Sequence, residues 1–193
     1  MTLNVLQLTP VPLEADAFAV FGDVLEPKAR RLDNLDLLDQ GYARMSDPVP
    51  EERLADFDVL DYWGDIATIT AEPMRLGYMR SKPHKPLQVS WFERHVKGTQ
   101  SYIPLNGVPS IFTVAPPNDL DDPNALPDLT RAQAFYLDGS RGMNIMPGTW
   151  HWTPFALEQA ADFIILVREQ VADDDLNFVD LQVRLNSRIE ISR

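Results

Sequence analysis

The sequence predicts a mainly β protein, an antiparallel barrel or two-sheet sandwich with a helix packed outside. Three observations carry this. Short, often alternating segments rich in aromatic and β-branched residues follow one another from residue 66 onward. Turn signals such as "KPHKP", "LNGVP", "DGSRG" and "PGTW" separate most of them. Nowhere is there the strand–helix–strand rhythm that builds a parallel sheet.

The elements follow in order. "TLNVLQL" alternates and reads as a first strand. "LEADAFAVFGDVLE" sets Leu13, Ala17, Phe18 and Phe21 at helical spacing, which predicts a short helix ended by Gly22. From Asp33 to Asp65 there are ten acidic residues against only Arg44 and Arg53. Residues 28–65 therefore read as an acidic surface excursion from one domain spanning 1–193. Strands are then expected in "IATIT", "MRLGYMR", "LQVSWFERH", "TQSYIPL", "SIFTVA", "AQAFYL", "GMNIM", "ADFIILVRE" and "FVDLQVRL". "PPNDLDDPNALPD", with four prolines, reads as an exposed loop.

Composition narrows the function. With 193 residues, 45% of them hydrophobic, the chain can build one sizeable core. A net charge of −12 disfavours nucleic acid and anionic lipid as partners. The absence of cysteine excludes disulfides, thiolate zinc sites and a cysteine nucleophile. The N-terminus lacks a signal-peptide pattern, and no apolar run approaches the roughly 20 residues of a membrane span. A cytoplasmic location is expected.

Chemistry concentrates in "WFERHVKGTQSYIPLNG", residues 91–107. Residues two apart on a strand share a face. The inward set is either Trp91, Glu93 and His95, or Phe92, Arg94 and Val96. In the next strand Gln100, Tyr102 and Pro104 share a face, and a hairpin through Lys97 and Gly98 would set Gln100 near His95. Further on, His151 stands between Trp150 and Trp152. If His151 points inward, both tryptophans point outward, toward a subunit interface or a second packing layer. Taken alone, His151 reads first as a hydrogen-bonded core histidine.

The spacing resembles that of cupins, whose first motif is H-x-H, four residues, E, six residues and G. Glu93, His95, Gln100 and Gly107 fall on those positions, and "PGTWH", residues 147–151, resembles the second motif. A closer resemblance is to the ureidoglycolate lyase family, through "FERHVKGTQSYIPL", "AFAVFGDVLE", "GMNIMPGTWHWTPF", "DFIILVRE" and Arg80. It covers about residues 3–168. The departures are an enlarged 28–65 stretch and the residues at Met146, Pro147 and Trp152.

This resemblance implies a cupin-like antiparallel β-barrel, or double-stranded β-helix, with one or two short helices. It implies an enzyme that splits ureidoglycolate into glyoxylate and urea in purine nitrogen catabolism. Glu93, His95 and His151 would be catalytic; Arg80, Gln100 and Tyr102 would bind substrate. Glu93, His95, Gln100 and His151 would hold a divalent metal such as Ni, Zn, Mn or Fe, with a metal-free acid–base pocket as the rival. The partner would be a small anion, drawn by the run Arg80, Lys82, Lys85, Arg94 and Lys97. Arg94 is expected in an ion pair or interface, His84 exposed, and the chain a homodimer. Other readings are another cupin enzyme on a small hydroxy or keto acid, and a non-catalytic binder.

Overall fold

The computed structural model describes residues 2–28, 63, 66–70 and 73–192. The chain divides into two compact units, Met1–Leu25 with Ile69–Arg193, and Glu26–Thr68. All strands and helices among the described residues lie in the first. The expected acidic excursion at 28–65 falls almost wholly outside the described residues.

Asn4–Leu8 (β1) and Val11–Pro12 (β2) precede one helical turn, Ala15–Phe18 (α1), and Gly22–Leu25 (β3). The predicted longer helix is thus a turn and a strand. Leu13, Phe18 and Phe21 are all buried in one core, which explains their helix-like spacing without a helix. Gly22 begins β3 rather than ending a helix, and a Cβ on it would lie 2.0 Å from the Asn144 carbonyl oxygen.

Met74–Ser81 (β4), Gln88–Val89 (β5), Trp91–Arg94 (β6), Gln100–Pro104 (β7) and Ser110–Ala115 (β8) come next. Gln133–Leu137 (β9), Gly142–Ile145 (β10), Trp150–His151 (β11), Phe155–Ala156 (β12) and Ala161–Arg168 (β13) continue the series. The chain closes with Val171–Asp174 (α2), Asn177–Asp180 (β14), Leu181–Leu185 (α3) and Ser187–Ile191 (β15).

Two expected strands differ. Residues 66–70 form none, although four of the five are β-branched; β propensity expresses packing on a sheet, not a backbone preference. "FVDLQVRL" is half strand and half helix, because the Asp180 carboxylate accepts from the backbone amides of Gln182 (2.9 Å) and Val183 (3.1 Å). Such an N-cap contributes about 1 kcal/mol. Asn186, at φ 47°, ends the helix in the left-handed conformation.

A five-stranded sheet runs β3-β10-β7-β13-β4. A larger one runs β14-β6-β11-β8-β9-β2, with β12 also on β8, and a small one runs β1-β15-β5. Pairing is antiparallel except between β1 and β15 and between β2 and β9. The mainly β, antiparallel expectation is met. The hairpin through Lys97 and Gly98 is not: β6 and β7 belong to different sheets, and residues 95–99 cross between them.

Every residue of β8 is buried because its sheet is covered on both faces. Phe112 and Val114 join Tyr102, Met143, Ile145 and Phe163 of the five-stranded sheet. Ile111 and Ala115 join Phe92, Trp150, Val179, Leu181 and Ile189 in a second layer. Each such large side chain contributes roughly 1.5–3 kcal/mol on burial. Neither inward set of β6 is buried whole: Phe92, Arg94 and His95 are buried, Glu93 is half-buried and Trp91 is exposed. Phe92 and Arg94 lie in the second layer, while Glu93 faces the space between the two large sheets.

Candidate active site

β6 meets β11 at one register position, Glu93 opposite His151. His151 also stands opposite Val114 of β8. Directly opposed residues point to one face, so Glu93 and His151 share the face of Val114, toward the first core. His151 is fully buried, between the rings of Phe112 (6.0 Å) and Tyr102 (6.4 Å). His95 lies just past the end of β6, with its ring centroid 5.4 Å from that of His151. Ligand atoms of Glu93, His95 and His151 all lie within 4.8 Å of one another.

The backbone sets both imidazoles. His95 Nδ1 lies 2.8 Å from the Asp175 carbonyl, and His151 Nδ1 lies 3.0 Å from the Thr149 carbonyl. A carbonyl only accepts, so each Nδ1 donates and each neutral ring presents its Nε2 lone pair. The Pro147-Gly148 turn holds the two histidine segments together: Gly148, at φ 83°, donates its amide to the His95 carbonyl at 2.6 Å. Thr149 is tied in turn through its hydroxyl to the Phe21 carbonyl at 3.0 Å.

Electrostatics follow from burial and crowding. Burial pushes the Glu93 carboxyl up, but the His151 nitrogen against it and the two nearby imidazoles bring it below the ordinary value. His95 is pushed down, first by burial and then by His151, beyond what the Asp175 carbonyl and Glu93 restore. The Tyr102 phenol is driven well up by burial and by Glu93, so it stays a neutral donor.

Gln100 stands on the same face of β7 as Tyr102. Its Oε1 is buried without a hydrogen-bond partner, and His151 Nε2 is buried with only Glu93 Oε1 near it, at 3.4 Å. The Glu93 carboxylate and the Nε2 atoms of His95 and His151 form a set of acceptors. Buried acceptors without a donor are costly, and a divalent cation satisfies them. Mixed nitrogen and oxygen donors suit a borderline metal. The residues therefore fit the expected group.

The remaining predicted residues go elsewhere. Arg80 is not brought to the cluster. Its side chain is 57% exposed and holds both Asp162 oxygens, at 2.7 and 2.9 Å. Its neighbour Met79 packs on the core, so alternation turns Arg80 outward. Arg80 lines a groove of about 520 Å³ with Lys82, His84, Trp91, Trp152 and Phe155. A larger cavity of about 660 Å³, lined by Pro12, Val108, Tyr136 and Leu157, holds none of the predicted residues. His84 is exposed, as expected, and stacks on Phe155 at 5.1 Å.

Among the described residues, Arg94 makes no ion pair with a side chain. It is fully buried and donates to the carbonyls of Asn118 (2.5 Å) and Asp122 (2.6 Å), with its guanidinium 4.6 Å from the Trp150 ring. A second packing layer forms around the tryptophans. Trp150 is fully buried there, donating to Asn118 Oδ1 at 2.7 Å, and Trp152 packs against the same layer.

One residue had no signal in the sequence. Asp175 is buried, and its carboxylate accepts from the amides of Val96 (2.7 Å) and Lys97 (2.9 Å). It lies about eighty positions from His95, in no motif. Among the described residues, no helix is long and apolar enough to cross a membrane.

Residues 5–188 match the family model described as ureidoglycolate lyase. A ureidoglycolate lyase of Burkholderia mallei (strain NCTC 10229) is 34% identical over 158 residues, covering 81% of this chain and 79% of that one. One of Brucella ovis is 30% identical over 192 residues, covering 96% and 98%. Among solved structures, RmlC from Streptococcus suis in complex with dTDP-D-xylose aligns at a TM-score of 0.34 and 12% identity, over 72% of this chain and 54% of that one. With the family model matched from residue 5 to residue 188, and relatives of 30–34% identity across most of its length, the chain belongs to the ureidoglycolate lyase family.

Proposed function

We propose that this protein cleaves ureidoglycolate to glyoxylate and urea, with Glu93, His95 and His151 as its reacting groups. The observation that carries this is the convergence of their three ligand atoms within 4.8 Å in a nearly closed interior. The substrate carbon bears a hydroxyl and a urea nitrogen. Its hydroxyl proton leaves, the carbonyl of glyoxylate forms, the C–N bond breaks, and a proton returns to the departing nitrogen. No water is consumed. Glu93, kept ionised, is the group able to take the hydroxyl proton and return it to nitrogen, a role worth roughly 10²–10⁴-fold. The buried rings of Tyr102, Phe112 and Phe163 exclude water from the inner side.

Glu93, His95 and His151, with Gln100 as a fourth donor, would hold a divalent cation; Ni, Zn, Mn and Fe all suit the set. Such a cation would lower the pKa of the substrate hydroxyl. Gln100 also presents a donor and an acceptor that complement a urea amide. Arg80 and Lys82 enter this reading as cations in the outer groove that attract the anionic substrate, rather than as a clamp beside Glu93. The assembly proposed is a cytoplasmic homodimer, supported by the exposed Leu76 (67%) and Tyr78 (59%) side by side on β4.

The test is product analysis on racemic ureidoglycolate. Urea and glyoxylate in equal amounts, above spontaneous breakdown, support the reading. Ammonia in place of urea overturns it, as does the absence of any acceleration by metal-replete protein.

A further inference from the structure

We propose that Asp175 is a positioning residue that presents His95 Nε2 to the cluster. The proposal rests on the reading that His95 works through that nitrogen. The structure supports it at three points. The Asp175 carboxylate bridges the amides of Val96 and Lys97, at 2.7 and 2.9 Å, and so fixes the chain immediately after His95. The Asp175 carbonyl accepts from His95 Nδ1 at 2.8 Å, which sets both ring direction and tautomer. One residue thus grips the segment with its side chain and the imidazole with its backbone.

Asp175 is itself held from the other sheet. Arg168, at the end of β13, points Nε at the Asp175 carboxylate from 3.9 Å and hydrogen-bonds Asp174. Lys97 Nζ reaches Asp174 at 2.8 Å from the opposite side. Two residues past Asp175, the chain enters β14, where Phe178 pairs opposite Glu93. Arg168 belongs to the five-stranded sheet and the His95 segment leaves the larger one, so Asp175 sits where the two are joined. Such a brace matters here because residues 95–99 cross between the sheets without strand pairing of their own. A loop held only by its ends would let the imidazole rotate and exchange tautomers.

The test reads the imidazole directly. The chain has three histidines, so ¹⁵N ring signals can be assigned with His84→Gln as a reference. In metal-free wild type, His95 should show one tautomer with the proton on Nδ1. In Asp175→Ala that signal should move toward a mixture or the Nε2–H form. Zn²⁺ affinity, followed by calorimetric titration, should fall roughly 10–100-fold, and kcat should fall with KM little changed. Asp175→Asn keeps one acceptor oxygen and should lie between; it also serves if the alanine variant fails to fold. Ile189→Ala, in the second layer, supplies a thermally weakened control whose His95 tautomer should match wild type. An unchanged tautomer together with wild-type Zn²⁺ affinity in both Asp175 variants would overturn the proposal. A lost tautomer in a protein that releases no urea from ureidoglycolate would uphold Asp175 and sink the reaction instead.

Discussion

Glu93 Oε1 lies 3.4 Å from His151 Nε2, across the one register position that joins β6 to β11. Because His151 Nδ1 already faces the Thr149 carbonyl, the contact leaves two states. Either a proton on Nε2 pairs with the carboxylate, or a lone pair faces it and a cation must lie between them. Both states need Glu93 ionised, and its depressed pKa is consistent with that.

Glu93→Gln keeps the shape and removes the charge. Turnover should fall by about 10²–10⁴-fold, while the thermal midpoint stays within a few degrees of wild type. Steady-state kinetics beside a circular dichroism melt would check this. A loss under tenfold in well-folded protein would move the base elsewhere.

His95 gives a defined pH dependence of stability. Its folded pKa is depressed below the ordinary value of about 6.5. Above that pH neither state holds the proton, and stability is full. As pH falls below about 6.5, the unfolded chain binds a proton that the folded ring refuses, so stability declines until the lower folded pKa is passed. Glu93 adds a second decline in the same sense below its unfolded pKa of about 4.3. Urea midpoints should therefore be flat at pH 7–8 and drop toward pH 5.5. His95→Gln should flatten that first drop; an equal drop in the variant would assign it to another group.

Arg94 makes a structural prediction free of the chemistry. Its removal strands the Asn118 and Asp122 carbonyls and uncovers Trp150. Arg94→Ala should cost about 3–5 kcal/mol in urea unfolding. Arg94→Lys should recover little, since an ammonium cannot reach both carbonyls while stacked on the indole. Near-wild-type stability for the lysine variant would show that charge alone suffices.

What was legible in the sequence tracks locality. The strands at 100–104, 110–115, 133–137, 142–145 and 161–168 alternate or carry bulky β-formers, and the sheets use them directly. The turn at Pro147-Gly148 was legible, because its signal is local and His151 follows it within three residues. Asp180 as a helix cap was readable but masked by alternation on both sides of it. The "SRIEI" strand, residues 187–191, alternates too, yet pairs with β1 at the far end of the chain. The burial of Phe92 and Arg94 on the far side of β6 was not readable, since the second layer that covers them is a tertiary fact. Asp175 could not be found at all, because its role exists only once residues 95–97 and 175 are folded together.

Metal dependence separates the two states of the Glu93–His151 contact. If the acceptor set holds a cation, chelation should abolish turnover, and one divalent metal should restore it. His151→Ala should then bind that metal at least tenfold more weakly. Full activity after exhaustive chelation, with no metal found by elemental analysis, would select the proton-bridged form.

The most direct measurement quantifies urea and glyoxylate together, from racemic ureidoglycolate, with metal-replete wild type and Glu93→Gln side by side. Equal release of both products by wild type, with at least a hundredfold loss in Glu93→Gln, is the predicted result. Equal rates for the two proteins, or glyoxylate accompanied by ammonia, would contradict a lyase centred on Glu93, His95 and His151.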